Sequence, residues 1–91
     1  MQARAHVIVS GIVHGVFFRA NTKEKADSLG LNGWVRNTPE GKVEAVFEGD
    51  KDKIEEVLNF CKTGPSGAVV KDVDVRWEEP KGETGFEIRY E

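Results

Sequence analysis

Residues 11–19, which read GIVHGVFFR, constrain what this chain can fold into more than any other segment. Apolar residues lead into two glycines four positions apart, and the segment ends in Arg19, where a helical pattern begins. Backbone N–H groups at such a strand-to-helix turn converge on one point, and the helix dipole favours an anion there. A guanidinium adds a planar, permanently charged donor at the same point. The segment therefore predicts a strand, a helix and, between them, a phosphate-binding turn.

This turn differs from the nucleotide-binding loops. The Walker pattern places a lysine and a hydroxyl residue directly after its second glycine, whereas Val16 and Phe17 stand there in this chain. For Gly11, a β-bulge is as good an explanation as a ligand. For Gly15 and Arg19 together we favour a function, because an arginine at a helix start opposes the dipole unless an anion compensates it.

A second segment, residues 33–49, reads GWVRNTPEGKVEAVFEG and predicts a strand, a tight turn and another strand. Together the two segments resemble the acylphosphatase family, whose signatures run roughly G-x-V-Q-G-V-x-F/Y-R and G-F/W/Y-V-x-N-x-x-x-G-x-V followed by a further glycine. The first signature is filled by Gly11, Val13, Gly15, Val16, Phe18 and Arg19, and the second by Gly33, Trp34, Val35, Asn37, Gly41, Val43 and Gly49. His14 stands where the family usually carries glutamine.

The resemblance implies an enzyme that hydrolyses acyl phosphates to a carboxylate and inorganic phosphate, with neither metal nor cofactor. It assigns catalytic roles to Arg19, which binds the phosphate, and Asn37, which positions a water molecule. It also implies that the phosphate lies on a loop formed by His14, Gly15, Val16, Phe17, Phe18 and Arg19. The expected ligands are a small-molecule acyl phosphate and inorganic phosphate, the latter as product and competitive inhibitor.

The residue types are compatible with that chemistry. An amide such as that of Asn37 is no general base, but it can hold a water molecule through hydrogen bonds. Phosphoryl transfer needs mostly positioning and charge stabilisation, and a carboxylate leaves without much acid assistance. Asparagine before a Thr-Pro turn is also a common turn former, so Asn37 has a structural alternative. His6 and His14 are too few and too far apart for a metal site, and Cys61 lies on the apolar face of a helix.

Hydrophobic periodicity predicts the remaining elements. Strands are expected from Ala5 to Gly15, at 34–36 and 43–48 around a Thr38–Gly41 turn, at 69–78 and at 86–90, the last as an additional or terminal strand. Helices are expected from Phe18 to a Gly30 cap, and over 54–61 between an aspartate cap and Gly64-Pro65. Trp34 and Val35 are expected in the core, and Phe17 and Phe18 partly so. This order predicts an α+β, ferredoxin-like βαββαβ sandwich, an antiparallel sheet with two helices on one face.

Length and composition set the limits within which these motifs act. The 91 residues are expected to form a single domain, residues 1–91, and the net charge of −3 disfavours a general polyanion binder. One cysteine and no apolar leader or long apolar run predict a cytoplasmic protein without a membrane partner, and the acidic net charge predicts no nucleic-acid partner. Two alternatives remain open: a module that handles carbamoyl phosphate or regulates a partner, and a ferredoxin-like RNA-binding module.

Overall fold

The alternation of apolar and polar residues along the chain produces five strands and two helices. In the computed structural model, which describes residues 1–90, these are β1 (Gln2–Ile12), α1 (Phe18–Ser28), β2 (Asn32–Asn37), β3 (Val43–Asp50), α2 (Lys51–Thr63), β4 (Val69–Glu78) and β5 (Phe86–Arg89). Within that range, no helix is long and apolar enough to cross a membrane.

The five strands form one sheet in the order β4-β1-β3-β2-β5. The first four strands pair antiparallel, as the ferredoxin-like fold requires, which confirms the predicted fold class. β5 is the additional strand, and it pairs parallel to β2, from Gly33↔Phe86 to Arg36↔Arg89. The sheet is therefore mixed, not antiparallel throughout as predicted. Residues 79–85 connect β4 at one edge of the sheet to β5 at the other, and their backbone N–H groups donate to Glu48 on the face opposite the helices.

Both helices pack on one face of this sheet. Strand residues that point to that face alternate with polar ones, so β1 contributes Ala5, Val7 and Val9, all fully buried. They join apolar side chains of both helices in one core, among them Phe18 and Ala26 of α1 and Ile54, Val57, Leu58 and Cys61 of α2. Burial raises the pKa of the Cys61 thiol to about 12, as expected of a core cysteine and not of a nucleophile.

The predicted helix ends and the predicted turn are confirmed. Gly30 follows α1 with a φ of 69°, and its N–H donates to the carbonyl oxygen of Asp27. The Asp50 side chain accepts from the Asp52 N–H at the start of α2. Between β2 and β3, the Gly41 N–H donates to the Thr38 carbonyl, which closes a four-residue turn.

β1 is shorter than predicted, because it ends at Ile12 instead of Gly15. Its pairing with β4 shifts register between Ser10 and Gly11. A side chain at Gly11 would collide with the carbonyl oxygen of Val69. The bulge and this close approach explain Gly11 without a ligand.

The predicted core aromatics divide between different environments. Phe18 is 2% exposed and packs against Phe60, with 6.0 Å between ring centroids. Phe17 is 77% exposed, so its predicted partial burial is wrong. Val35 is fully buried in the helix-side core. Trp34 is on the opposite face, since neighbours on a strand point to opposite sides, and the Arg89 guanidinium covers its ring at 4.6 Å.

Candidate active site

The topology brings the carboxyl ends of three strands to one edge of the sheet. β1 and β2 both run antiparallel to β3, so they point the same way, and β5 runs parallel to β2. The segment between β1 and α1 crosses this edge, and α1 begins there. Residues that are far apart in sequence therefore meet where these strands end.

A cleft of about 430 Å³ opens at this edge. Its walls are formed by Val13, Gly15, Phe17, Phe18, Arg19, Ala20, Asn37, Ile88 and Tyr90. Arg19 is the one charged side chain among these lining residues, and most of the others are apolar. The cleft thus combines a single positive charge with a largely hydrophobic wall.

The loop at the start of α1 borders the cleft and carries backbone N–H groups that have no turn or loop acceptor within residues 1–90. Gly15 has a φ of 72°, and Phe17, the residue that precedes the helix, is also left-handed at φ 61° and ψ 26°. No side chain caps the helix, and its first turn carries no acidic residue. Within residues 1–90, no turn or loop hydrogen bond uses a backbone N–H of residues 15–20 as its donor. The first N–H groups of a helix lack intrahelical partners, so this turn matches the donor arrangement of an anion site.

Arg19 is the second residue of α1, and its guanidinium lies 5.0 Å from the centroid of the Tyr90 ring. Such a distance fits a cation–π contact, which orients the planar group while leaving its N–H donors at the edge. In the part of the chain that the structure describes, Arg19 forms no ion pair. Its charge is therefore not neutralised by a carboxylate of those residues.

Asn37 ends β2 on the face that carries the core. Its Oδ1 atom is buried and has no hydrogen-bond partner within residues 1–90. The following turn is held instead by Thr38, whose N–H donates to the Lys42 carbonyl and whose Oγ1 accepts from the Lys42 N–H. Because Oδ1 makes no Asx-type bond, the turn-forming alternative does not explain Asn37. A buried acceptor without a partner is costly and calls for an explanation. Thr22 Oγ1 is also buried without a partner, but of these two residues only Asn37 lines the cleft.

Four of the six predicted loop residues line the cleft, and two do not. His14 turns away, and its Nε2 lies 2.7 Å from the carbonyl oxygen of Lys42, tying the loop to the β2–β3 hairpin. The Val16 side chain packs against the core. These two side chains brace the loop, and any contribution to a ligand would come from their backbone.

The sequence analysis did not identify four of the lining residues: Val13, Ala20, Ile88 and Tyr90. Ile88 and Tyr90 alternate with outward-pointing neighbours, which indicated a strand but gave neither its partner nor its direction. Only the parallel pairing with β2 brings the end of β5 to Arg19 and Asn37.

The other chemistry-bearing side chains lie elsewhere. His6, on the open face of the sheet, contacts Glu44 at 2.6 Å, and Arg36 contacts the second oxygen of the same carboxylate at 2.6 Å. Burial by itself would raise the pKa of Glu44, but these two hydrogen bonds outweigh it, and the pKa lies below its usual value. Among residues 1–90, no group of three His, Cys, Asp or Glu side chains is arranged to hold a metal ion.

Comparison with known proteins identifies the family to which this chain is similar. The family model for acylphosphatase matches residues 5–88. The acylphosphatase of Trichormus variabilis is 56% identical over 86 residues, covering 94% of this chain and 85% of that protein. The structure of an acylphosphatase from Coxiella burnetii has a TM-score of 0.93 at 38% identity, with 97% of this chain and 93% of that chain covered.

This chain is also similar to part of a larger protein. The crystal structure of full-length HypF, in its phosphate- and nucleotide-bound form, matches with a TM-score of 0.86 at 27% identity, covering 98% of this chain but 12% of that one. The high-identity relatives, in contrast, are matched over most of their length. The chain therefore belongs to the acylphosphatase family and is a hydrolase of acyl phosphates.

Proposed function

We propose that the phosphate group of the substrate binds at the start of α1, held by backbone N–H groups of residues 14–19 and by the Arg19 guanidinium. Two observations support this proposal. The N–H groups of residues 15–20 donate to no turn or loop acceptor in the described chain, and the Arg19 side chain has no carboxylate partner there. Helix dipole, amide donors and guanidinium then act on one anion.

Asn37 positions the attacking water in this proposal. Asn37 lines the cleft, and the observation that carries its role is that its Oδ1 atom is buried without a hydrogen-bond partner within residues 1–90. A water molecule that donates to Oδ1 would satisfy this atom and turn a lone pair toward the phosphorus. The amide does not take the proton, because it is not a base at neutral pH. That proton passes to a phosphate oxygen of the substrate.

The remaining step is the departure of the carboxylate from phosphorus. In phosphoryl transfer the attacking and leaving oxygens lie in line, and charge accumulates on the equatorial phosphate oxygens. Arg19 and the loop N–H groups stabilise that charge. A carboxylate is a good leaving group that requires little protonation, so we propose that the reaction proceeds without a bound metal or cofactor.

The RNA-binding alternative has little support. RNA-binding sheets stack bases on exposed strand aromatics. Phe47 of the central strand β3 is fully buried and stacks on Phe86, with 5.5 Å between ring centroids. On the opposite face, β3 presents Glu44, Val46 and Glu48, so this strand offers no exposed aromatic side chain to a base. We propose a small-molecule substrate instead, and a reducing compartment such as the cytoplasm for the buried Cys61 thiol.

The alternative of a carbamoyl-phosphate-handling or regulatory module expects such a domain inside larger proteins, and this chain is similar to a part of full-length HypF. It predicts that carbamoyl phosphate is turned over in preference to other acyl phosphates. If the protein is a simple acyl phosphate hydrolase, the chain alone should turn over acetyl phosphate. Parallel assays on acetyl phosphate and carbamoyl phosphate therefore distinguish the two hypotheses.

The mechanism is tested by assaying the protein in excess chelator on acetyl phosphate and on para-nitrophenyl phosphate. We expect acetyl phosphate to be hydrolysed at the rate seen without chelator. The monoester should react about 10²-fold more slowly or worse, because no general acid assists its poorer leaving group. The control adds magnesium back to the same sample. Activity that disappears in chelator and returns with magnesium or zinc would contradict the metal-free mechanism.

A further inference from the structure

Phe17 has an unusual combination of backbone conformation and exposure. It is the only residue other than glycine with a positive φ in the described chain, at 61°, and its ring is 77% exposed. A left-handed conformation is unfavourable for a residue with a bulky side chain, and an exposed phenyl ring gains nothing from burial. Strained residues that persist in a fold cluster at sites of function. Neither the loop geometry nor the core accounts for a phenylalanine here.

The in-line geometry determines which side of the cleft receives the acyl group. Asn37 ends β2 on the face that carries the core, and its Oδ1 atom is buried, so the water that Asn37 would hold lies on the core side of the cleft. The leaving carboxylate must lie opposite that water across the phosphorus. It therefore points to the open mouth, where the exposed rings of Phe17 and Tyr90 line the wall.

These two rings are not equivalent. The Tyr90 ring contacts the Arg19 guanidinium at 5.0 Å and is engaged in holding that group. Phe17 takes part in none of the ring pairs or cation–π contacts found among residues 1–90. Its ring is therefore available to a ligand.

The chemistry of the wall limits which acyl groups fit. A phosphate group fills only a fraction of the 430 Å³, and the rest is bordered by apolar side chains such as Val13 and Ile88. Arg19 is the one charged lining residue, and the substrate phosphate occupies it. A second anionic group on the acyl part would find no cation in this wall, whereas an uncharged ring would bury apolar surface against Phe17.

We propose that Phe17 is a specificity-determining residue whose ring contacts the acyl group and favours aromatic, uncharged acyl phosphates over small aliphatic ones. This proposal rests on the proposed binding of the phosphate at Arg19 and the water at Asn37. It adds a substrate preference to that site and assigns it to one side chain.

The test compares the selectivity ratio, kcat/KM for benzoyl phosphate divided by kcat/KM for acetyl phosphate, in the wild type and three loop variants. Phe17→Gly removes the ring but keeps a residue that adopts positive φ readily, so the loop conformation is retained. We expect this variant to lower the ratio about tenfold, in the range of lost aromatic contacts. Phe17→Tyr keeps a ring and should retain most of the preference. Ile12→Ala removes another exposed apolar side chain, 57% exposed, from the same segment but outside the cleft, and should leave the ratio unchanged.

Arg19→Ala separates this proposal from the one on which it rests. If Arg19→Ala abolishes turnover of both substrates while Phe17→Gly leaves the ratio at its wild-type value, the phosphate site stands and the role of Phe17 is refuted. If Arg19→Ala retains both activities, the phosphate site is refuted and the acyl contact with it. A ratio that falls in Phe17→Gly, persists in Phe17→Tyr and is unaffected in Ile12→Ala supports the proposal. Thermal unfolding of each variant verifies that the compared proteins are folded.

Discussion

Asn37 shows most clearly how a cost to the fold can accompany a proposed role in the site. Its Oδ1 atom is buried without a hydrogen-bond partner in the described chain, while the neighbouring turn is closed by Thr38. An unsatisfied buried acceptor costs about 1–3 kcal/mol of stability. The fold tolerates this cost at the cleft, where a water molecule of the reaction can supply the missing donor.

Asn37→Ala is accordingly expected to slow the reaction without weakening phosphate binding. kcat should fall about 10²- to 10³-fold, by analogy with the loss of other positioned amide groups. Inhibition by inorganic phosphate should remain nearly unchanged, because the anion is held by Arg19 and the loop. Steady-state kinetics with phosphate as inhibitor measure both quantities, and urea unfolding controls for damage to the turn. A folded Asn37→Ala protein with near-normal kcat would reject the water-positioning role.

Single residues also show what the sequence could predict about the site. Arg19 and Asn37 were recognisable because their spacing to glycines and apolar residues is characteristic. The exposure of Phe17 was not recognisable, because a phenylalanine between apolar neighbours is normally expected to be buried in the core. Its left-handed backbone turns the ring out of the core while the next residue, Phe18, turns in.

At the scale of elements, the connection from β4 to β5 is held by one buried carboxylate. Glu48 accepts hydrogen bonds from the backbone N–H groups of Lys81, Gly82 and Glu83, and it pairs with Arg4 at 2.6 Å. Arg4 also reaches Glu78 and Glu83, each at 3.0 Å. The loop therefore crosses the sheet face on a fixed path, and β5 follows it as the outermost strand, paired with β2.

Burial by itself would raise the pKa of the Glu48 carboxyl, but the hydrogen bonds from the Lys81 and Glu83 amides and from Arg4 outweigh it, so the pKa lies below its usual value. A carboxyl whose pKa is lower in the folded state adds stability above its unfolded pKa of about 4.5. That contribution is lost as the pH falls through the folded pKa. Acid should therefore weaken the hydrogen bonds by which Glu48 holds the loop.

We expect Glu48→Gln to lower the free energy of unfolding at pH 7 by about 1–3 kcal/mol, because charged hydrogen bonds to Arg4 are lost within a buried cluster. The difference from wild type should stay constant down to about pH 5 and shrink at lower pH, where the wild-type carboxyl is protonated. Urea unfolding across this pH range measures it. Glu79→Gln, the same change at an exposed position of the same loop, should have little effect. A difference as large at pH 3 as at pH 7 would contradict this account.

At the scale of the whole molecule, local patterns could be predicted from the sequence, whereas long-range strand pairing could not. Helix periodicity, the Asp50 cap and the Thr38–Gly41 turn are local, and each was predicted from neighbouring residues. The direction of β5 depends instead on contacts of Glu48 with a loop more than thirty residues away, and no local pattern contains that information. For this reason the sequence pointed to Arg19 and Asn37, which line the same cleft, but not to the wall that Ile88 and Tyr90 add.

The central claim is that Arg19 and the start of α1 form the phosphate site, and it has a consequence for the entire fold. A ligand that binds only the folded state raises its stability by mass action. At a phosphate concentration of about a hundred times Kd, the gain is about 2.7 kcal/mol, or about 10–20 °C in Tm for a domain of this size.

The most direct measurement is the Tm of wild type, Arg19→Ala and Lys23→Ala with and without phosphate, at equal ionic strength in chloride. Lys23 is an exposed cation on the same helix that pairs with Asp27, so its variant is a matched control for loss of charge. Phosphate should raise the Tm of wild type and Lys23→Ala by similar amounts and leave that of Arg19→Ala almost unchanged. An equal rise in all three proteins would mean that Arg19 does not hold the phosphate.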